Sequence, residues 1–593
     1  MKDFIKMMLA TMAGLLLFSV VWMLMMFSFI GSLAALSSDT PVVPKEGVLY
    51  MNMSNFIIAE KENPMDVSAL MQGNMKVKTL SLLNAIRALN MAAADPGVKF
   101  LYMRPDGVSA GIADLEEFRN AILKFRESGK AVISFIENPS NASYYLASAA
   151  DKVYVTASKG GMNTVIGLSS RMFFLKDLLD KLGVNMQLIR HGKYKSAGEM
   201  YIKNQISKEN FEQTQVMVSS IWNSLVDDIA ASRNITPEAF NALVDNLSLV
   251  EPEDFVANGL ADAQMSREER KQKICDLYMA ENFSDVSFIP FEDYTIARTS
   301  NPKFSTNQIA VIYADGEIVD GDDDPQNVAG DTFAELIADV RANDMVKAVV
   351  LRVNSPGGSV LASDKIRKEL QLLRESKPVV ASYGNYAASG GYWISAESGY
   401  IFSDATTLTG SIGVFSLIPE FGKAVKNLAH INVTSINSNR HSDMYSSMRP
   451  LDAAETAFAQ QSVEHIYDEF TSIVADGRDL RKTYVDSIAQ GRVWAGADAI
   501  KIGLVDEIGG IEDALLRAAF EADGSTSYDN FYIASYPAPQ NPLESLLSVF
   551  DSANKPLIFD GTPFEALERA FAPLKSAESG RIYARLPYEF VIR

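Results

Sequence analysis

An internal duplication limits what this chain can fold into more than any other feature of its sequence. Val98–Arg104 (VKFLYMR) is echoed by Val346–Arg352 (VKAVVLR), and Phe125–Ile133 (FRESGKAVI) by Leu373–Val380 (LRESKPVV). Two further echoes keep the same order. Arg190–Ser196 (RHGKYKS) matches Arg440–Ser447 (RHSDMYSS) with one inserted residue, and Phe255–Asp262 (FVANGLAD) matches Ala499–Asp506 (AIKIGLVD). The offset stays between 244 and 250 residues throughout, the signature of a duplicated unit.

The differences between the copies carry the chemistry. In the second copy an apolar run, Lys377–Ser382, leads into Gly384-Asn-Tyr-Ala-Ala-Ser389-Gly-Gly391-Tyr-Trp. The first copy has Asn138-Pro-Ser-Asn-Ala142-Ser-Tyr-Tyr there, so Ala142 or Ser143 stands where Ser389 does and both glycines are gone. Conversely, Tyr194-Lys195-Ser196 in the first copy faces Tyr445-Ser446-Ser447 in the second. One half offers a serine and the other a lysine.

The runs Phe100–Met103, Ala131–Ile136, Ala348–Val353 and Pro378–Ser382 read as parallel strands covered on both faces. Strands alternating with helical patterns predict an α/β fold in two tandem domains, 48–300 and 301–593. Segments 208–246 and 452–488 have helical periodicity and are expected to pack outside each unit. The part beyond Asp523 is less regular and takes no role from the sequence.

Residues 1–38 are expected to be a cytoplasmic N-terminus and one transmembrane helix, with 39–47 as linker. No charged side chain occurs from Met7 to Ser38, and the apolar span exceeds the roughly 20 residues that cross a bilayer. Lys2 and Lys6 precede it and Asp39 follows, so the positive-inside rule places the globular part outside the cytoplasm. A cleaved export signal ending near Leu33-Ala-Ala35 is the alternative, with the same destination. The net charge of −20 leaves no basic stripe for nucleic acid. The single cysteine, Cys275, rules out an intrachain disulfide framework.

Ser389 falls at a strand-to-helix turn, where a hydroxyl is exposed beside backbone N–H groups and the positive end of a helix. Asn354-Ser-Pro-Gly357-Gly358-Ser359 also follows a strand, and paired glycines let amides point at developing negative charge. It fits neither a P-loop nor a dinucleotide fingerprint. A serine needs a base, and there are four histidines: His191, His430, His441 and His465. His191 and His441 occupy matching places in both copies, which reads as structural. Lys195 occurs in one copy only. In water about 0.04 per cent of it would be neutral at pH 7, so acting as a base requires desolvation or neighbouring positive charge.

Together, Asn354–Ser359, Ala388-Ser-Gly-Gly-Tyr392, Thr409-Gly-Ser-Ile-Gly413, Tyr194-Lys-Ser-Ala197, Gly491-Arg-Val-Trp-Ala-Gly496 and Gly503-Leu-Val-Asp506 resemble the signal peptide peptidase A family in its long, duplicated, membrane-anchored form. The resemblance runs from Met1 to about Gly510. It implies a fold related to Clp protease and the crotonases, with a Ser-Lys dyad in place of a triad. It makes Ser389 the nucleophile, Lys195 the general base and Ser411 the residue orienting the lysine. Gly357 or Gly358, with Gly390, would form the oxyanion hole. It also implies signal-peptide remnants in the membrane as substrates, no metal or cofactor, and a homotetramer at the inner membrane with its catalytic part in the periplasm. The acidic run Gly321-Asp-Asp-Asp-Pro325 reads as a solvated turn, since no ligand spacing is evident. A crotonase-type acyl-CoA enzyme and a catalytically silent scaffold are the competing readings.

Overall fold

Each half folds its apolar runs into one parallel sheet, and the two sheets share one strand order. The first runs Ala263–Met265, Lys152–Thr156, Val132–Ile136, Val98–Arg104, Gly47–Asn52, Phe288–Pro290. The second runs Glu507–Ile508, Tyr400–Ser403, Val379–Ala388, Val346–Ser355, Gln308–Asp315, Tyr532–Tyr536. Every strand of the first sheet therefore has a counterpart in the second, and the duplication is architectural as well as textual. The structure, a computed structural model, describes residues 40–61, 77–300, 304–321, 327–538 and 581–586, together with 6, 14–15, 17–23 and 25.

Central strands are buried because helices cover both faces, as parallel sheets require. Ala348 to Val353 are all buried. Helix Val360–Arg374 seals one side with Ala362, Ile366, Leu370 and Leu373, a helical stripe started by Ser359, whose side chain caps the Ala362 amide. The segments read as outer helices form Lys208–Arg233 with Pro237–Asp245, and Ala453–Gly477 with Lys482–Ile488.

Two departures from the duplicate plan build the site. In the second half the far end of Val379–Ala388 also pairs with Leu408–Gly410, on which Val493–Ala495 lies antiparallel. A third sheet then draws on both halves. Its order is Val328–Ala329, Ile318–Val319, Gly357–Ser359, Tyr583–Arg585, Phe415–Glu420, Asn185–Arg190.

Asn185–Arg190 belongs to the first half by sequence, yet it pairs antiparallel with Phe415–Glu420 along its whole length. The boundary expected at residue 300 is thus a boundary in sequence and not in space. One apolar cluster joins Leu49, Leu101 and Phe118 to Ile309, Val350 and Ile511. The textual match of Arg190–Ser196 to Arg440–Ser447 does not extend to structure. Ile431–Asn437, the stretch preceding the second copy, forms no strand and is exposed.

The expected transmembrane helix falls mostly outside the described residues. Within it Leu17–Met23 is helical and exposed, and no helix of the described residues is long and apolar enough to cross a membrane. Residues 322–326, most of the acidic run, are also outside the described residues.

Candidate active site

Strand Val379–Ala388 ends at Ser389, and helix Gly390–Ser395 begins just after it. Ser389 turns the chain with φ 57° and ψ −111°, a conformation that costs a non-glycine residue about 1–3 kcal/mol and persists only when its surroundings enforce it. Here they do. Its amide donates to the Gly410 carbonyl at 2.8 Å, and its carbonyl accepts from Trp393 N at 2.8 Å.

Lys195 comes from the other half. Its Nζ lies 2.8 Å from Ser389 Oγ, 3.0 Å from Ser411 Oγ and 3.1 Å from the Ser411 carbonyl. All three residues are fully buried. Burial holds the Lys195 ammonium well below a lysine's ordinary value, because desolvation penalises the charged form.

The loop carrying Lys195 is fixed from several sides. Tyr194 N donates to the Gln490 carbonyl at 2.9 Å, and the Arg190 guanidinium donates to the Lys195 carbonyl while pairing with buried Glu199. Gln213, buried on helix Lys208–Arg233, donates to Tyr194 O at 2.9 Å and to Ser196 Oγ at 3.0 Å. Its Oε1 accepts from Val493 N, on the strand beside Leu408–Gly410. Ser411 N donates to the neighbouring Arg492 carbonyl at 2.7 Å. One glutamine thus ties the lysine loop to the strands that hold Ser411. Nothing in the sequence singles out Arg190, Glu199 or Gln213, since their roles arise from contacts across the fold.

Gly357 and Gly358 form a short strand against the start of the Ser389 helix. Gly357 has φ 96°, and a methyl carbon on it would lie 2.7 Å from Gly390 N. One on Gly358 would lie 1.9 Å from the Ile318 carbonyl oxygen, so only glycine fits. The Gly357 amide already donates to Ser355 Oγ at 3.2 Å. Gly358 lies beside Gly390 and opposite Ala584 of strand Tyr583–Arg585, so of the two candidates it is the one whose amide is not taken up by Ser355.

The histidines stand apart from Ser389. His191 stacks on Tyr467 with ring centres 3.9 Å apart, and His441 Nδ1 lies 2.9 Å from Glu455 Oε1. His430 and His465 are exposed. In the first half Ser143, one of the two residues matched to Ser389, lies inside a helix and completes the capping box of Ser140: its Oγ accepts from Ser140 N at 2.8 Å and meets Ser140 Oγ at 2.9 Å.

The fold and the site define an α/β serine hydrolase. The profile of peptidase family S49 matches residues 124–277 and 371–524, once in each half. Protease 4 of Haemophilus influenzae is 35% identical over 80% of this chain and 78% of its own, and Protease 4 of Salmonella typhi 33% over the same shares. The chloroplastic serine protease SPPA of Arabidopsis thaliana is 31% identical over 73% of this chain and 64% of its own. The chain belongs to peptidase family S49 and is a serine protease. This family membership does not favour the acyl-CoA alternative.

Proposed function

We propose that this chain is a membrane-anchored endopeptidase that degrades signal-peptide remnants through a Ser389–Lys195 dyad. The observation that carries the reading is the 2.8 Å contact of Lys195 Nζ with Ser389 Oγ at a buried site. A neutral amine has two N–H groups and one lone pair. Ser411 accepts both N–H groups through Oγ and its carbonyl, and the lone pair takes the Ser389 hydroxyl proton as Oγ attacks. Gly358 and Gly390 amides stabilise the oxyanion, and Lys195 passes the proton to the leaving amine. Water then hydrolyses the acyl-enzyme by the same route in reverse.

The anchor at 1–38 keeps the site beside the bilayer on the extracytoplasmic, periplasmic side, where remnant signal peptides remain after export. A ring of four chains completes the assembly. It is supported by the arm Gly422–Pro450, whose Leu428, Ile431, Val433 and Ile436 are exposed. The first half's own arm, Lys176–Ile202, lies against the second half. Repeating that contact between chains would cover the exposed arm.

A serine-directed fluorophosphonate tests the chemistry. It should label the wild-type chain and Ser143→Ala equally and leave Ser389→Ala unlabelled, with peptide hydrolysis following the same pattern. Equal loss in both variants would show that the wrong half had been assigned the nucleophile.

A further inference from the structure

The segment Gln490–Trp494 lies between the serine and lysine parts of the site, and its backbone touches both. The Gln490 carbonyl accepts from Tyr194 N at 2.9 Å, next to Lys195, and the Arg492 carbonyl accepts from Ser411 N at 2.7 Å. Gly491 N donates to the Ile412 carbonyl at 2.8 Å. Beyond it Val493–Ala495 pairs antiparallel with Leu408–Gly410, whose Gly410 carbonyl holds the Ser389 amide at 2.8 Å. These are main-chain bonds, open to almost any sequence. They do not account for an arginine and a tryptophan in the motif Gly491-Arg-Val-Trp.

The Arg492 side chain makes a different link. Its guanidinium carbon lies over the Tyr194 ring, 5.0 Å from the ring centre, and over the Trp494 ring at 4.3 Å. Nε is buried without a hydrogen-bond partner among the described residues, and Nη1 stands 3.7 Å from Glu212 Oε1, beyond hydrogen-bond reach. The group is therefore held by the ring faces, which attract a planar cation, more than by its N–H donors. Tyr194 directly precedes the base and is buried, and its hydroxyl donates to Glu212 at 3.2 Å. Trp494 stands opposite Thr409 in the ladder and donates through Nε1 to the Ile488 carbonyl at 3.0 Å. A methyl carbon on Gly410 would lie 2.9 Å from Trp494 Cδ1, so this ring sits directly on the strand that holds Ser389.

We propose that Arg492 is a positioning residue for the general base: by bridging Tyr194 and Trp494 it locks the loop carrying Lys195 against the strands that hold Ser389 and Ser411. The inference rests on the Ser389–Lys195 reading of the site. A lysine acts as base here only while its amine stays out of water among uncharged partners, and the three oxygens around Nζ belong to serines. The charged groups around the loop keep to its margin: Lys193 over the Tyr194 ring, Arg190 with Glu199 at the Lys195 carbonyl, and Glu212 beside Arg492. Without the bridge the loop moves off the strands, water reaches the amine, and the neutral form becomes scarcer at a given pH. The loss then falls on turnover and on the pH at which the base titrates, and not on substrate binding.

Peptide hydrolysis by the full chain, measured across pH, tests this. Below the rising limb of the wild-type profile, Arg492→Ala should lower kcat at least about tenfold with KM little changed, and its limb should lie about one pH unit higher. Millimolar guanidinium should restore the wild-type limb by refilling the place over the rings, whereas sodium chloride at the same concentration should not. Arg492→Lys, which keeps the charge and loses the planar group, should behave as Arg492→Ala does. Trp494→Leu removes one ring and should move the limb the same way, which decides the matter if Arg492→Ala does not fold. A limb unmoved in a folded variant, or turnover lost and not restored by guanidinium, would overturn the inference alone as long as the wild-type limb lies below a lysine's usual range. A wild-type profile without such a limb would overturn the dyad with it.

Discussion

A lysine ammonium taken out of water must be compensated by negative charge or give up its proton, and at Lys195 desolvation is unopposed. Its neighbours are the oxygens of two serines. The direction of that shift makes a kinetic prediction. With Lys195 as the proposed base the neutral amine is the working form, so kcat/KM should rise with pH through an ionisation below a lysine's usual value of about 10.4. Lys195→Arg should lose activity by at least about a hundredfold, since a guanidinium keeps its proton at any working pH. His191→Ala should leave the pH profile in place, because that ring stacks on Tyr467 away from the reacting hydroxyl. A Lys195→Arg enzyme of near-wild-type turnover would end the dyad.

The elements around the dyad act as a clamp on one loop. Gln490–Arg492 presses on the lysine backbone: Gly491 has φ 78°, and a methyl carbon there would lie 2.5 Å from Lys195 Cβ and 2.6 Å from its amide nitrogen. Gly491→Ala should therefore displace the base. Turnover should fall more than about tenfold, equivalent to ~1.4 kcal/mol of barrier. Gly129→Ala is the control, since Gly129 has φ 83° with nothing within 4 Å of a methyl carbon. It carries a similar backbone penalty, about 1 kcal/mol or more, and should melt lower while keeping full turnover. Equal turnover in the two variants would show that contact with Lys195 is unimportant.

At the scale of the molecule, the halves are joined through a buried cluster rich in carboxylates. Arg352 binds Glu60 through Nε at 2.8 Å and Nη2 at 3.0 Å, and Glu117 at 2.7 Å, with Asp114 3.8 Å away. Asp404 is buried beside them. One guanidinium cannot offset so much buried negative charge. Burial pushes Glu60 up to about 8 and holds Asp404 well above the usual carboxyl range, helped by the charges of Glu117 and Glu116. A carboxyl raised in the folded chain keeps a proton that the unfolded chain has lost. Its contribution to stability is whole below about pH 4 and is lost as pH rises through the folded value. Asp404→Asn, which cannot ionise, should lose less stability than wild type in denaturant titrations taken from about pH 5 to about pH 8. Parallel pH profiles would show Asp404 to be ionised in the fold.

The sequence by itself determined the duplication, the α/β class, the buried parallel strands and the division of serine and lysine between halves. Apolar runs and repeat offsets record burial that each half achieves on its own. The glycines at 357 and 358 were legible for a similar reason, because a close backbone approach leaves glycine as its trace. Only the tertiary structure decided the rest. Lys195 has the surroundings of a surface lysine in sequence, and the burial that disfavours its charged form is made by strands from the far half closing over it. The match between Arg190–Ser196 and Arg440–Ser447 failed because a strand forms where a partner edge is present, as Phe415–Glu420 is for Asn185–Arg190. The strand Tyr583–Arg585 is too short to show periodicity. Its place in the third sheet is set by the two edges it joins, and neither edge is written in its own residues.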